Sequence, residues 1–272
     1  MTNTIDRYAD MFRALNVKNQ GAFVPFVMLG DPDKDGSLNI IKALVEGGAD
    51  ALELGIPYSD PVADGPTIQA ASIRALNKHI RPRDCFKIIA QVREAYPDIP
   101  IGLLLYSNLV LKPGVENFYQ DAVKAGVDSI LIADVPLREA ERFIAIAEQT
   151  GIKQILIAPP NASDETLAEI GQKSQGYTYL LGRAGVTGAE TAVTIPASEL
   201  IEKLTEYEVA PPLLGFGIST PEQVANAIQS GAAGAISGSA TVNIIAANLE
   251  QENVMLEKLK RFVGDMKAAT QK

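Results

Sequence analysis

The chain has 272 residues, 47% hydrophobic and 21% charged, with a formal net charge of −9. Such a composition can bury a substantial core, which excludes an intrinsically disordered chain; the acidic balance, without a Lys/Arg cluster, excludes a general nucleic-acid binder. The one cysteine, Cys85, excludes an internal disulfide and fits a reducing compartment.

The first segment, MTNTIDRYADMFRALN, reads as an amphipathic helix with Ile5, Tyr8, Phe12 and Leu15 on one face. Asp6, Arg7 and Asp10 break any signal-peptide core, so a soluble, cytoplasmic protein is expected, or a plastid one if a transit peptide was removed. AFVPFVML (22–29) is strand-like and far too short for a membrane helix. SLNIIKALVEGG (37–48) is helical, with Leu38, Ile41, Leu44 and Val45 aligned, and it ends in Gly-Gly. The strand DALELG (50–55) precedes the proline-bounded helix RPRDCFKIIAQVREAYP (81–97) and the strand IPIGLLLY (99–106). Helix VENFYQDAVKAG (115–126), strand VDSILIAD (127–134), helix LREAERFIAIAEQTG (137–151) and strand IKQILIAP (152–159) continue the alternation. GYTYLL (176–181), PPLLGFG (211–217) and GAISG (234–238) complete eight strand-type runs, with the helix TPEQVANAIQSG (220–231) before the last.

Most of these runs are continuously apolar, as strands covered on both faces of a parallel sheet should be. EGGADALELGIP, KAGVDSILIADVP and QSGAAGAISGSA share one layout of helix end, glycine, strand and Gly or Asp exit, which is an echo of repeated βα units. No linker divides the chain. The expected fold is an α/β protein, a (β/α)8 TIM barrel with an extra N-terminal helix, forming one domain over residues 1–272. An open doubly wound sheet requires a Gly-rich dinucleotide turn after the first strand, and that strand runs instead into LGDPDKDG.

A barrel of this kind carries its site where the strands end. In ALELG, Ala51, Glu53 and Gly55 share one face and Leu52, Leu54 and Ile56 the other. The bulky face suits the surrounding helices, which turns Glu53 into the barrel mouth; a buried, paired structural acid is the competing reading. Asp64, in PVADGP, is either a turn residue or a second carboxylate facing the same pocket. Gly217, Gly238 and Ser239 follow the last two strands, where backbone N–H groups and a helix N-terminus favour a phosphate. Phe216 can pack in the core or lie against a flat ring. LGRAGVTGAETA (181–192) is either a lid or a disordered surface loop. The only histidine, His79, lies far from any strand exit, and no lysine ends a strand, so neither a zinc nor a Schiff-base aldolase fits. Acid–base chemistry by carboxylates on a phosphorylated substrate remains, with no metal.

GAFVPFVMLGDPD, GADALELGIPYSDPVADGPTIQAA, ADVPL, GYTYLL with GVTGA, and GFGIST followed by GAAGAISGSA closely resemble the tryptophan synthase alpha subunits, over about residues 5–270. The resemblance implies a lyase of tryptophan biosynthesis that splits indole-3-glycerol phosphate into indole and glyceraldehyde 3-phosphate. It implies a beta-subunit partner in an α2β2 tetramer, no cofactor in this chain, and pyridoxal phosphate only in the partner. By matching motifs, Glu53 and Asp64 are catalytic, with Glu53 of raised pKa and Asp64 ionised. Phe26, Leu104, Leu131, Tyr179, Thr187 and Phe216 lie near the substrate, and Gly188, Gly217, Gly238 and Ser239 hold its phosphate. Pro57 and Asp60 signal to the partner. Gly182 stands where relatives often carry serine, which bears on the lid hinge. Two other readings stay open: an autonomous lyase that releases free indole, and a non-catalytic activator of a beta-type protein.

Overall fold

The apolar runs fold as parallel strands in the computed structural model, which describes residues 5–181, 197–207 and 209–272. They are β1 (Ala22–Met28), β2 (Leu52–Gly55), β3 (Ile101–Leu105), β4 (Ser129–Ile132), β5 (Lys153–Gln154), β6 (Leu156–Ala158), β7 (Thr178–Leu181), β8 (Pro212–Gly215) and β9 (Gly234–Ser237). Their order in the sheet is β5-β4-β3-β2-β1-β9-β8-β7-β6. Only Ile155 separates β5 from β6 along the chain, so the sheet closes on itself as the eight-stave barrel expected. The run 152–159, expected as one strand, is thus two. At the break the buried Gln154 amide donates to the Ile130 carbonyl (3.0 Å) and accepts the Tyr119 hydroxyl (2.6 Å), while the Ile155 N–H reaches the same carbonyl (2.9 Å).

Period-2 alternation sorts the strand side chains into two cores. Phe23, Val27, Leu52, Leu54, Leu103, Ile130 and Leu180 point outward and pack under the helices. Ala22, Val24, Ala51, Leu131, Tyr179, Leu213 and Ile236 point inward. Phe26 and Met28, higher on β1, join Ile68, Ala71 and Val242 in a small cluster at the mouth.

The N-terminal helix, Arg7–Val17, starts on Asp6, whose carboxylate accepts the Ala9 N–H (3.1 Å). Ile5 therefore precedes the helix and is 62% exposed, not part of its buried face. Tyr8 and Leu15 are buried, and Tyr8 enters the inner core, where its hydroxyl bonds Ser129 Oγ (2.8 Å) and its ring meets Tyr177 at 5.5 Å. In two of the three echoed segments an aspartate stands just before the strand, and it has a physical role. Asp50 accepts the Phe23 N–H (2.8 Å) and Asp128 the Ile101 N–H (2.8 Å), so each acid satisfies a donor at the start of the preceding strand. Lys267 pairs with Asp50, and Arg7 and Arg93 with Asp128. Among the described residues no helix is long and apolar enough to cross a membrane.

Candidate active site

The strands end around a cavity of about 200 Å³. Its walls include Phe26, Glu53, Asp64, Leu104, Tyr179 and Phe216, together with Gly217, Gly238 and Ser239. Parallel register aligns Phe26 with Glu53 and, two residues further along the second strand, Gly55 with Leu104, so the cavity walls come from successive rungs of adjacent strands.

Glu53 is 2% exposed. Its carboxylate accepts the Tyr177 hydroxyl at 2.9 Å, and burial, only partly offset by that bond, pushes its pKa up to about 7. Tyr177 escapes the sequence reading although it shares the face of Tyr179 two residues on; the same alternation identifies it.

Asp64 proves to be both a turn residue and a cavity residue. Its N–H closes a turn on the Pro61 carbonyl (3.1 Å), and its own carbonyl accepts the Gln69 side chain (2.7 Å). Burial raises its pKa to about 6, against the lowering effect of a hydrogen bond from Tyr106. At neutral pH it is therefore mostly ionised, though less completely than an exposed aspartate. The loop leading to it is fixed at its start: Ser72 Oγ accepts the Tyr58 N–H (2.9 Å) and donates to the Tyr58 carbonyl (3.1 Å). Ser72 belongs to the helix Pro66–Asn77, which Arg74 ties to the buried Asp31 through two 2.7 Å bonds.

Gly217 has φ +74°, a conformation that favours glycine, and an added Cβ there would meet nothing within 4 Å. Phe216 beside it has φ +109°, unusual for a bulky residue, and this fixes where its ring meets the cavity. Gly238 caps the helix Ser239–Ala246, so that helix directs its N-terminal end at the cavity. Gly215, at the end of β8, leaves room for the Tyr179 ring; a methyl group there would collide with it. Gly215→Ala is expected to push Tyr179 into the cavity and raise KM about tenfold or more with the fold intact, as steady-state assays and circular dichroism would read. An unchanged KM would exclude this packing.

Leu131 does not line the cavity; it is buried in the inner core with Tyr179 and Leu104 packed in the same cluster. Thr187 and Gly188, with Gly182, lie outside the described residues. Pro57 is buried, Asp60 is exposed and accepts the Ser59 hydroxyl, and neither lines the cavity. His79 is likewise absent from the walls.

A parallel barrel with its cavity at the strand ends, walled by two carboxylates of raised pKa, defines the class: a (β/α)8-barrel enzyme. The family model for the tryptophan synthase alpha chain matches residues 12–271. The alpha chain of Vibrio parahaemolyticus is 59% identical over 268 residues, covering 98% of this chain and 100% of that one. That of Francisella tularensis is 59% identical over 270 residues, with 99% of each covered. Among solved structures, Mycobacterium tuberculosis tryptophan synthase superposes with a TM-score of 0.88 at 30% identity, covering 98% of each chain. The alpha subunit from Legionella pneumophila gives 0.87 at 30% identity, covering 98% of this chain and 99% of that one. The chain belongs to the tryptophan synthase alpha chain family.

Proposed function

We propose that this chain cleaves indole-3-glycerol phosphate to indole and glyceraldehyde 3-phosphate by a retro-aldol reaction, as the lyase half of a tryptophan synthase. The observation that carries the reading is that Glu53 and Asp64 wall one cavity together with Gly217, Gly238 and Ser239, the last two at the N-terminus of the helix Ser239–Ala246. Protonated Glu53 delivers its proton to indole C3. The positive charge that develops at N1 is met by ionised Asp64, which accepts the N1–H hydrogen bond. The Glu53 carboxylate then takes the proton from the adjacent side-chain hydroxyl, the carbon–carbon bond to C3 breaks, and its electron pair restores the indole ring. The aldehyde leaves and Glu53 is again protonated. Gly217, Gly238 and Ser239 hold the phosphate, with Gly188 in the same role, and Phe26, Leu104, Tyr179 and Phe216 surround the indole and its side chain. Thr187 belongs to the same set of substrate contacts.

The reaction requires only these side chains, so the reading includes no cofactor in this chain. Pyridoxal phosphate belongs to a beta subunit, joined to this one in an α2β2 tetramer in the cytoplasm, with the alpha chain as one barrel domain. Support for a partner face comes from the loop that carries Pro57 and Asp60. It borders a groove of about 950 Å³ that runs past Tyr58 and Asn108, and Val62 on the same loop is 74% exposed. The test is indole release from indole-3-glycerol phosphate with and without purified beta subunit. Turnover is expected in both arms and at least tenfold higher with the partner. Asp60→Ala is expected to keep the lower rate and lose most of the increase; a full response in that variant removes the signalling role, and no indole in either arm removes the reading.

A further inference from the structure

The geometry around the second carboxylate singles out a residue with no role in the reaction so far. Tyr106 is the first residue past β3 and is 3% exposed. Its ring stacks on Tyr58 with centroids 5.4 Å apart and planes 28° from parallel. Tyr58 is itself tethered twice to Ser72 and accepts Asn108 Nδ2 at 2.7 Å. The Tyr106 hydroxyl therefore sits on a braced ring. It accepts the Ala63 N–H (3.1 Å) and faces the carboxyl of the next residue, Asp64. A single oxygen thus holds the loop backbone one residue before Asp64 and lies beside the Asp64 carboxyl. An unbraced carboxylate on a surface turn would rotate about χ1 and χ2 at a cost below about 1.5 kcal/mol.

We propose that Tyr106 is the positioning residue for Asp64: its hydroxyl fixes which oxygen of the carboxylate faces the cavity and so aims the acceptor at the indole N1–H. The proposal rests on the reading of Asp64 given above. A phenol serves this purpose because it offers one donor to the carboxylate and keeps a lone pair for Ala63. Burial and the neighbouring Asp64 charge push the Tyr106 pKa upward, so the hydroxyl stays a donor across the working range. The donated bond also favours the ionised form of Asp64 against burial. The other titratable groups facing this pair are Glu53 and Tyr179 in the cavity and Asp134 beyond Tyr106.

The test is Tyr106→Phe in the full chain, which keeps the ring and its stack on Tyr58 and removes only the hydroxyl. Turnover of indole-3-glycerol phosphate is expected to fall about tenfold with KM within about twofold, since a hydrogen bond to a charged group is lost while the apolar walls remain. The acid limb of the kcat/KM profile should move to higher pH, because Asp64 loses a donor that favours its ionised form. Fluorotyrosine at position 106, which restores the donor, should restore both. Asp64→Asn is measured alongside. If Asp64→Asn loses turnover while Tyr106→Phe keeps normal turnover and an unmoved acid limb, the positioning role is overturned and the Asp64 reading stands. If Tyr106→Phe loses turnover with the limb unmoved and a lower melting temperature, its role is structural only. If Asp64→Asn turns over normally, both fall together.

Discussion

Glu53→Gln is expected to abolish most turnover and at the same time make the protein more stable. The two effects have one cause. Glu53 is fully enclosed, and its pKa is about 7 in the folded chain against an ordinary 4.5. A group that holds its proton more tightly when folded costs stability as pH rises. The cost is absent below about 4.5, grows between that value and about 7, and is complete above it. Its full size is about 3 kcal/mol. Glutamine has the same shape and can accept the Tyr177 hydroxyl as the carboxylate does. It carries no charge, so at pH 8 the variant should melt roughly 5 °C higher, and the gain should vanish near pH 4. It also cannot carry a proton between C3 and the hydroxyl, and loss of an acid–base group lowers turnover about 10²–10⁴-fold. Calorimetry and an indole-release assay on one preparation read both. Near-normal turnover would remove Glu53 from the chemistry; an unchanged melting temperature at pH 8 would mean that its burial is not costly.

Asp64→Asn is expected to lower kcat/KM by about 10²–10⁴-fold, because the amide can no longer balance charge at N1. The pH profile separates the two acids. The proposed reaction starts with Asp64 ionised and Glu53 protonated, so the profile should be a narrow bell, rising near 6 with Asp64 and falling near 7 with Glu53. The residual activity of Asp64→Asn should lack the rising limb and keep the falling one. A rising limb that survives unchanged in this variant belongs to another group.

Much of the barrel was legible in the sequence because two-sided burial writes itself as continuous apolar strands, and because one acidic residue in such a strand has few places to point. Glu53 followed from that alternation alone. Asp64 did not: a turn aspartate and a cavity aspartate look identical in PVADGP, and in the fold it is both. The break at Ile155 left no trace in IKQILIAP, since it depends on the Gln154 side chain finding the Ile130 carbonyl and the Tyr119 hydroxyl, partners 24 and 35 residues away. Tyr106 was hidden for the same reason. Nothing local in IPIGLLLY says that its hydroxyl will meet a loop 43 residues earlier. Leu131, matched by motif, is buried in the inner core in the same cluster as the cavity residue Tyr179.

The packing of Tyr8 against Tyr177 has a kinetic consequence. With Ser129 bound to one ring and Glu53 to the other, the lower bore of the barrel is filled by aromatic carbon and bonded hydroxyls. Glu53 can then equilibrate with bulk water from above alone. In the proposed reaction, whatever occupies the mouth also insulates this acid, and the proton it gives to the substrate is replaced by one taken from the substrate.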